Sequence, residues 1–108
     1  MPESGKAGSY PSYRIFETRQ FSKDLSRLGV AAEKRIEAKL RDYVYPILRQ
    51  NPYFAPNIKR LKNWEPPTWR YRVGEWRFFY EIDDEAGIVL MIAADHRKQA
   101  YRSRGPVQ

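Results

Sequence analysis

The chain has 108 residues, 42% of them apolar, which suits one domain around one hydrophobic core. Twenty Lys and Arg against thirteen Asp and Glu give a net charge of +7, a balance that attracts polyanions and also aids solubility. Zero cysteines exclude a disulfide framework, a thiolate metal site and a cysteine nucleophile, and one histidine leaves no conventional zinc ligand set, so neither metal nor cofactor is expected.

Residues 1–12 read as a polar tail without the apolar core of a secretory leader, and residues 13–104 as a single domain. No run approaches the ~20 consecutive apolar residues of a membrane span, so the expectation is a cytoplasmic protein with no membrane partner. "YRIFET" (13–18) reads as a short strand leading to Thr18, a helix N-cap. Phe21, Leu25 and Leu28 then recur at helical spacing, with Gly29 as the stop. In the next segment Ile36, Leu40, Tyr43, Val44, Ile47 and Leu48 form one apolar stripe, which predicts a second helix with those six residues inside. Pro46 predicts a kink or break in that helix. The two helices form a hairpin.

"QNPYFAPN" (50–57) and "NWEPPT" (63–68) are loops, and "IKRLK" between them reads equally as a strand start or a turn. From Trp69 the period changes to two. "WRYRV" and "WRFFYEI" are strands, "DDEAG" (83–87) is a turn, and "IVLMIAA" (88–94) is an apolar run suited to a central strand. The order is β-α-α-β-β-β, an α+β pattern. Residues 59–77 concentrate the charge, with Lys59, Arg60, Lys62, Arg70, Arg72 and Arg77 against Glu65 and Glu75.

Within "WRYRVGEWRFFY" (69–80), Gly74-Glu75 matches the Gly-X preference of a type II′ turn. That turn sets Val73 opposite Trp76, Arg72 opposite Arg77, Tyr71 opposite Phe78, Arg70 opposite Phe79 and Trp69 opposite Tyr80. Alternation then puts Trp69, Tyr71, Val73, Trp76, Phe78 and Tyr80 on one face, the core. Arg70, Arg72 and Arg77 share the other face with Phe79 as their one aromatic companion. Opposed like charges destabilise a sheet by up to ~1 kcal/mol unless a counter-charge is supplied. A nucleic-acid phosphate with a stacked base supplies it; so would Glu81 or acidic residues elsewhere, leaving a solvated face. His96 and Tyr101 carry no signal of their own from composition or spacing.

"RYRVGEWRFFYEID", followed by an apolar strand and "HRKQAY", resembles the RelE/ParE superfamily of type II toxin–antitoxin toxins over roughly residues 13 to 101. The resemblance implies a small antiparallel β-sheet packed against an N-terminal helical hairpin. It also implies a cognate antitoxin as protein partner, acidic and partly disordered to suit the +7 charge. The arginines at 70, 72, 77 and 97 and the terminal Tyr101 are similar to the RelE-like branch, whose members cut mRNA on the ribosome. The gyrase-inhibiting ParE-like branch usually departs from the "HR..vY" ending. A metal-independent endoribonuclease is therefore expected, with mRNA and ribosomal RNA as partners. A gyrase inhibitor or a non-catalytic RNA- or protein-binding module on the same fold is the alternative. The resemblance implies Arg77 and Arg97 as phosphate stabilisers, Tyr101 as a base-orienting residue, and Arg70 and Arg72 as a backbone cradle. Phe79, Lys59, Arg60, Lys62 and His96 complete the expected RNA-binding set. The best-known members carry lysines at the paired strand positions, and arginine is a poor base with a pKa above ~12. The general base is left to His96, to Tyr101, or to electrostatics and alignment alone.

Overall fold

In the computed structural model, which describes residues 12–98, three helical segments lie on one side of a five-stranded sheet. The strands are β1 (Arg14–Glu17), β2 (Ile58–Arg60), β3 (Trp69–Val73), β4 (Trp76–Asp83) and β5 (Ile88–His96), in the sheet order β1-β5-β4-β3-β2. Every neighbouring pair is antiparallel except β1 and β5, which run parallel. The α+β class stands, with two differences from expectation. "IKR" is a strand pairing with β3, and the sheet is mixed because β1 lies beside β5 and runs in the same direction. Among the described residues no helix is long and apolar enough to cross a membrane.

Thr18 caps α1 (Arg19–Ser26) as expected, accepting a hydrogen bond from the Phe21 amide at 3.2 Å. Its hydroxyl also donates to the Met91 carbonyl at 2.9 Å, which ties the helix start to β5. Gly29, at φ 98°, makes the bend between α1 and α2 (Val30–Lys39), a backbone angle that a side chain resists. Ahead of Pro46 the helix widens into one π turn, Leu40–Val44, before α3 (Tyr45–Gln50). The proline has no N–H to give and its ring crowds the carbonyl one turn back, so the wider turn accommodates it.

That turn corrects the predicted stripe. One extra residue per turn rotates everything beyond it, so Ile36, Leu40, Val44 and Leu48 are buried while Tyr43 and Ile47 are exposed. Tyr45, outside the stripe, is buried instead and donates to Glu17 Oε2 at 2.6 Å. Burial first, and the Glu17 carboxylate second, hold its phenol above the usual tyrosine range.

The core unites Phe21 and Leu25 of α1, the buried stripe, and Tyr71, Trp76, Phe78, Tyr80, Val89, Met91 and Ala94 of the sheet. β5 has a bulge opposite Phe79 and Tyr80, since Phe79 pairs with Ala93 but Tyr80 with Met91, leaving Ile92 as the extra residue. Asp24, only 8% exposed, serves this irregularity by accepting the buried Ala94 amide at 2.9 Å and the Gln20 side-chain amide at 2.8 Å. We expect Asp24→Ala to lower the unfolding free energy in urea by about 1–3 kcal/mol, because it strands a buried donor. Asp24→Asn, which keeps an acceptor oxygen, should lose less. Equal losses would mean that the carboxylate charge, rather than the Ala94 bond, supports the bulge.

Candidate nucleic-acid interface

The β3–β4 hairpin has the register that its turn dictates, with all five expected pairs from Val73–Trp76 to Trp69–Tyr80. Gly74 sits at φ 55° while Glu75 has an ordinary negative φ, the pattern of a type II′ turn. Tyr71, Trp76, Phe78 and Tyr80 are buried on the helix side and Trp69 and Val73 half-buried beside them. Arg70, Arg72, Arg77 and Phe79 lie on the opposite face. The sheet thus presents two rows across its strands, Lys59–Arg70–Phe79–Ala93 and Arg72–Arg77–Asp95.

The second row contains its own counter-charge. Arg77 donates from Nε to Asp95 Oδ1 at 2.9 Å and from Nη2 to Oδ2 at 3.0 Å, a two-point fork. Asp95 therefore relieves the Arg72–Arg77 opposition and fixes the plane of the Arg77 guanidinium. The remaining N–H groups of Arg77 stay available, and its side chain is 38% exposed. Arg72 is exposed and has no ion-pair partner among the described residues.

The first row differs from expectation at Phe79. Its ring is not the only aromatic on this face: Trp64, from the loop joining β2 and β3, stacks on it with centroids 6.0 Å apart and planes 9° from parallel. Trp64 itself is 48% exposed. Arg70 is half-buried, and its Nε is buried without a hydrogen-bond partner among the described residues. Nothing in the loop's sequence marked Trp64, because no periodicity governs it; a large aromatic in a polar, proline-rich loop was the one available hint.

The other expected residues are dispersed. Lys59 joins the arginine face opposite Arg70. Arg60 points to the other side of β2, with its guanidinium 5.6 Å from the centre of the Trp69 ring. Lys62 is exposed in the following loop. His96 alternates away from Asp95 and Arg77, meeting Trp76 edge-on at 5.1 Å, and its Nδ1 accepts the Lys98 amide at 3.2 Å. It is not brought together with Arg77. Arg97 is 78% exposed at the hairpin tip, where its amide donates to the Glu75 carbonyl at 2.9 Å and its Nη1 lies 3.6 Å from Glu75 Oε1. Tyr101 lies outside the described residues.

At the opposite end of the sheet Tyr13 and Tyr53 both donate to Asp84, at 2.7 and 2.6 Å. Partial burial, then the Asp84 bond, pushes the Tyr13 phenol up to about 12, while the two hydroxyls hold the Asp84 carboxyl below its usual range. This cluster fastens the 51–57 loop to the β4–β5 turn, far from the arginines.

A family model described as the ParE toxin of the parDE type II toxin–antitoxin system matches residues 15–101. The fold is similar to the toxin–antitoxin complex RelBE2 from Mycobacterium tuberculosis, with 30% identity, a TM-score of 0.63, and coverage of 80% of this chain and 92% of that one. The RelE–RelB complex of Pyrococcus horikoshii is similar at 22% identity and a TM-score of 0.58, covering 80% and 96% of the two chains. The DinJ–YafQ complex of E. coli follows at 20% identity and 0.57, covering 81% and 94%. No curated protein matches the sequence.

Proposed function

This chain belongs to the RelE/ParE superfamily of type II toxin–antitoxin toxins, and on that premise we propose that it is a metal-independent endoribonuclease that cuts mRNA on the ribosome. The observation that carries the reading is the arginine face. Arg77 is held in one orientation by Asp95, Arg72 stands exposed beside it, and Lys59 and Arg70 continue the positive surface across the sheet. The 2′-hydroxyl of one nucleotide attacks the adjacent phosphorus, the bond to the 5′-oxygen breaks, and a 2′,3′-cyclic phosphate and a 5′-hydroxyl result. Negative charge builds on the non-bridging oxygens, and a fixed guanidinium stabilises it without reorganising at that moment. Arg77 takes this role and Arg72 grips the flanking backbone. Arg97, at the rim, adds a second phosphate contact. Tyr101 orients a base.

The general base is drawn away from His96, whose Nδ1 is occupied and whose ring meets Trp76 on the far side of the strand. Tyr101 and ribosome-imposed alignment of the RNA remain for proton removal and positioning. The relatives were solved as toxin–antitoxin complexes, which supports a cognate antitoxin for this chain; an acidic antitoxin would be attracted to the positive surface.

Two observations favour a second reading, gyrase inhibition. The matching family model is described as a ParE toxin, and two of the arginines face carboxylates within this chain. Purified protein incubated in magnesium buffer with mRNA on ribosomes and, in parallel, with DNA gyrase, ATP and relaxed plasmid separates the two. Cleavage to 5′-hydroxyl fragments supports the nuclease; intact RNA with inhibited DNA supercoiling supports the alternative.

Ionic strength gives a second check. Arg72→Gln should flatten the slope of log affinity against log salt for single-stranded RNA by roughly 0.7–1, the loss of one phosphate contact. An unchanged slope would place the RNA elsewhere on the protein.

A further inference from the structure

We propose that Trp64, backed by Phe79, is a stacking subsite for one unpaired nucleobase of the bound RNA; the inference rests on the nuclease reading and names a recognition element within it. The 61–68 loop is closed at its base by the Leu61 amide donating to the Thr68 carbonyl at 2.9 Å. Thr68 is buried, and its hydroxyl donates to the Pro66 carbonyl at 2.9 Å, so the loop is tied at both its start and its end. Asn63 lies at φ 64°, in the left-handed region that asparagine tolerates better than most residues. The loop turns there, immediately before Trp64, and the indole reaches across β3 to Phe79 on β4.

A tryptophan needed only as a cover would be expected to bury more of its surface. This one uses a face on Phe79 and stays 48% exposed on the charged side of the sheet. Its surroundings are cationic. Arg70 is the cross-strand neighbour of both Phe79 and Lys59, and its Nε is a buried donor without a partner among the described residues. A flat apolar plate beside two cations matches a base with its own phosphate. An apolar protein segment would meet those cations without neutralising them.

The test is equilibrium binding of the full chain to a fluorescein-labelled single-stranded RNA with 2′-O-methyl riboses, which cannot be cut, alongside thermal melts. Trp64→Ala should weaken binding by about 5- to 150-fold, the span that base–aromatic stacking covers. Trp64→Phe, which keeps an aromatic plate, should stay within a few-fold of the wild type. Trp64→Leu keeps an apolar cover over Phe79 and so guards against a folding artefact; it should bind as weakly as the alanine variant. An oligonucleotide made abasic throughout should bind the wild type and Trp64→Ala alike. Wild-type affinity in Trp64→Leu, or an undiminished difference on abasic RNA, would overturn the subsite and leave the nuclease reading standing. A wild-type protein that binds neither this RNA nor ribosomes carrying mRNA would overturn both. Weakened binding to an acidic antitoxin peptide with RNA affinity unchanged would reassign the plate to the protein partner and overturn the subsite alone.

Discussion

Phe78→Ala should lower the unfolding free energy by about 3–5 kcal/mol, whereas Phe79→Ala next to it should cost distinctly less. Phe78 is fully buried, with Phe21 at 6.0 Å on one side and Trp76 at 5.9 Å on the other, and no loop can collapse into the space it leaves. Phe79 is half-buried beneath Trp64 on the charged face, where the indole can settle onto the strand. Its loss should appear chiefly in RNA affinity, through the unsupported Trp64. Urea titrations of the two variants measure this directly. A one-residue slip exchanges the faces of a strand, so an unfolded Phe79→Ala beside an unaffected Phe78→Ala would contradict the register and the arginine face together.

Arg77→Ala should reduce the RNA cleavage rate by about 10²–10³-fold, the usual cost of removing one preorganised donor to a developing oxyanion. Growth arrest on induction should disappear with it. Some stability should go too, because Asp95, a quarter exposed, is left without its two-point partner; the loss should stay near 1 kcal/mol, since water still reaches the pair. Arg97→Ala should also abolish arrest, but with its melting behaviour within about 0.5 kcal/mol of the wild type, as its 3.6 Å pair with Glu75 is solvent-exposed. Full toxicity in both variants would remove the phosphate-stabilising assignment. A collapse of the Arg77→Ala melt would make that arginine structural.

The hairpin was legible because a two-residue Gly-X loop leaves strand parity no freedom: once Gly74 and Glu75 are the turn, every side chain from Trp69 to Tyr80 has its face. The partner of Arg77 was hidden for the complementary reason. Asp95 reaches it only through the pairing of β4 with β5, and that register shifts at the bulge around Ile92 inside an apolar run that carries no local mark. Alternation also separates His96 from Asp95 and Arg77, although in sequence it stands between Asp95 and Arg97. Pro46 announced an irregular helix without saying that the irregularity would be a wider turn, and it was that added residue which turned Tyr43 and Ile47 outward and Tyr45 inward. Asp24 looked like one more polar residue on α1; its value comes from a backbone amide seventy residues away.

Mapping transcript 5′ ends shortly after induction tests most directly whether the proposed RNA cleavage occurs. New 5′-hydroxyl ends are expected inside translated coding regions with the wild type and none with Arg77→Ala. Growth arrest with intact transcripts and gyrase trapped on DNA would contradict that proposal.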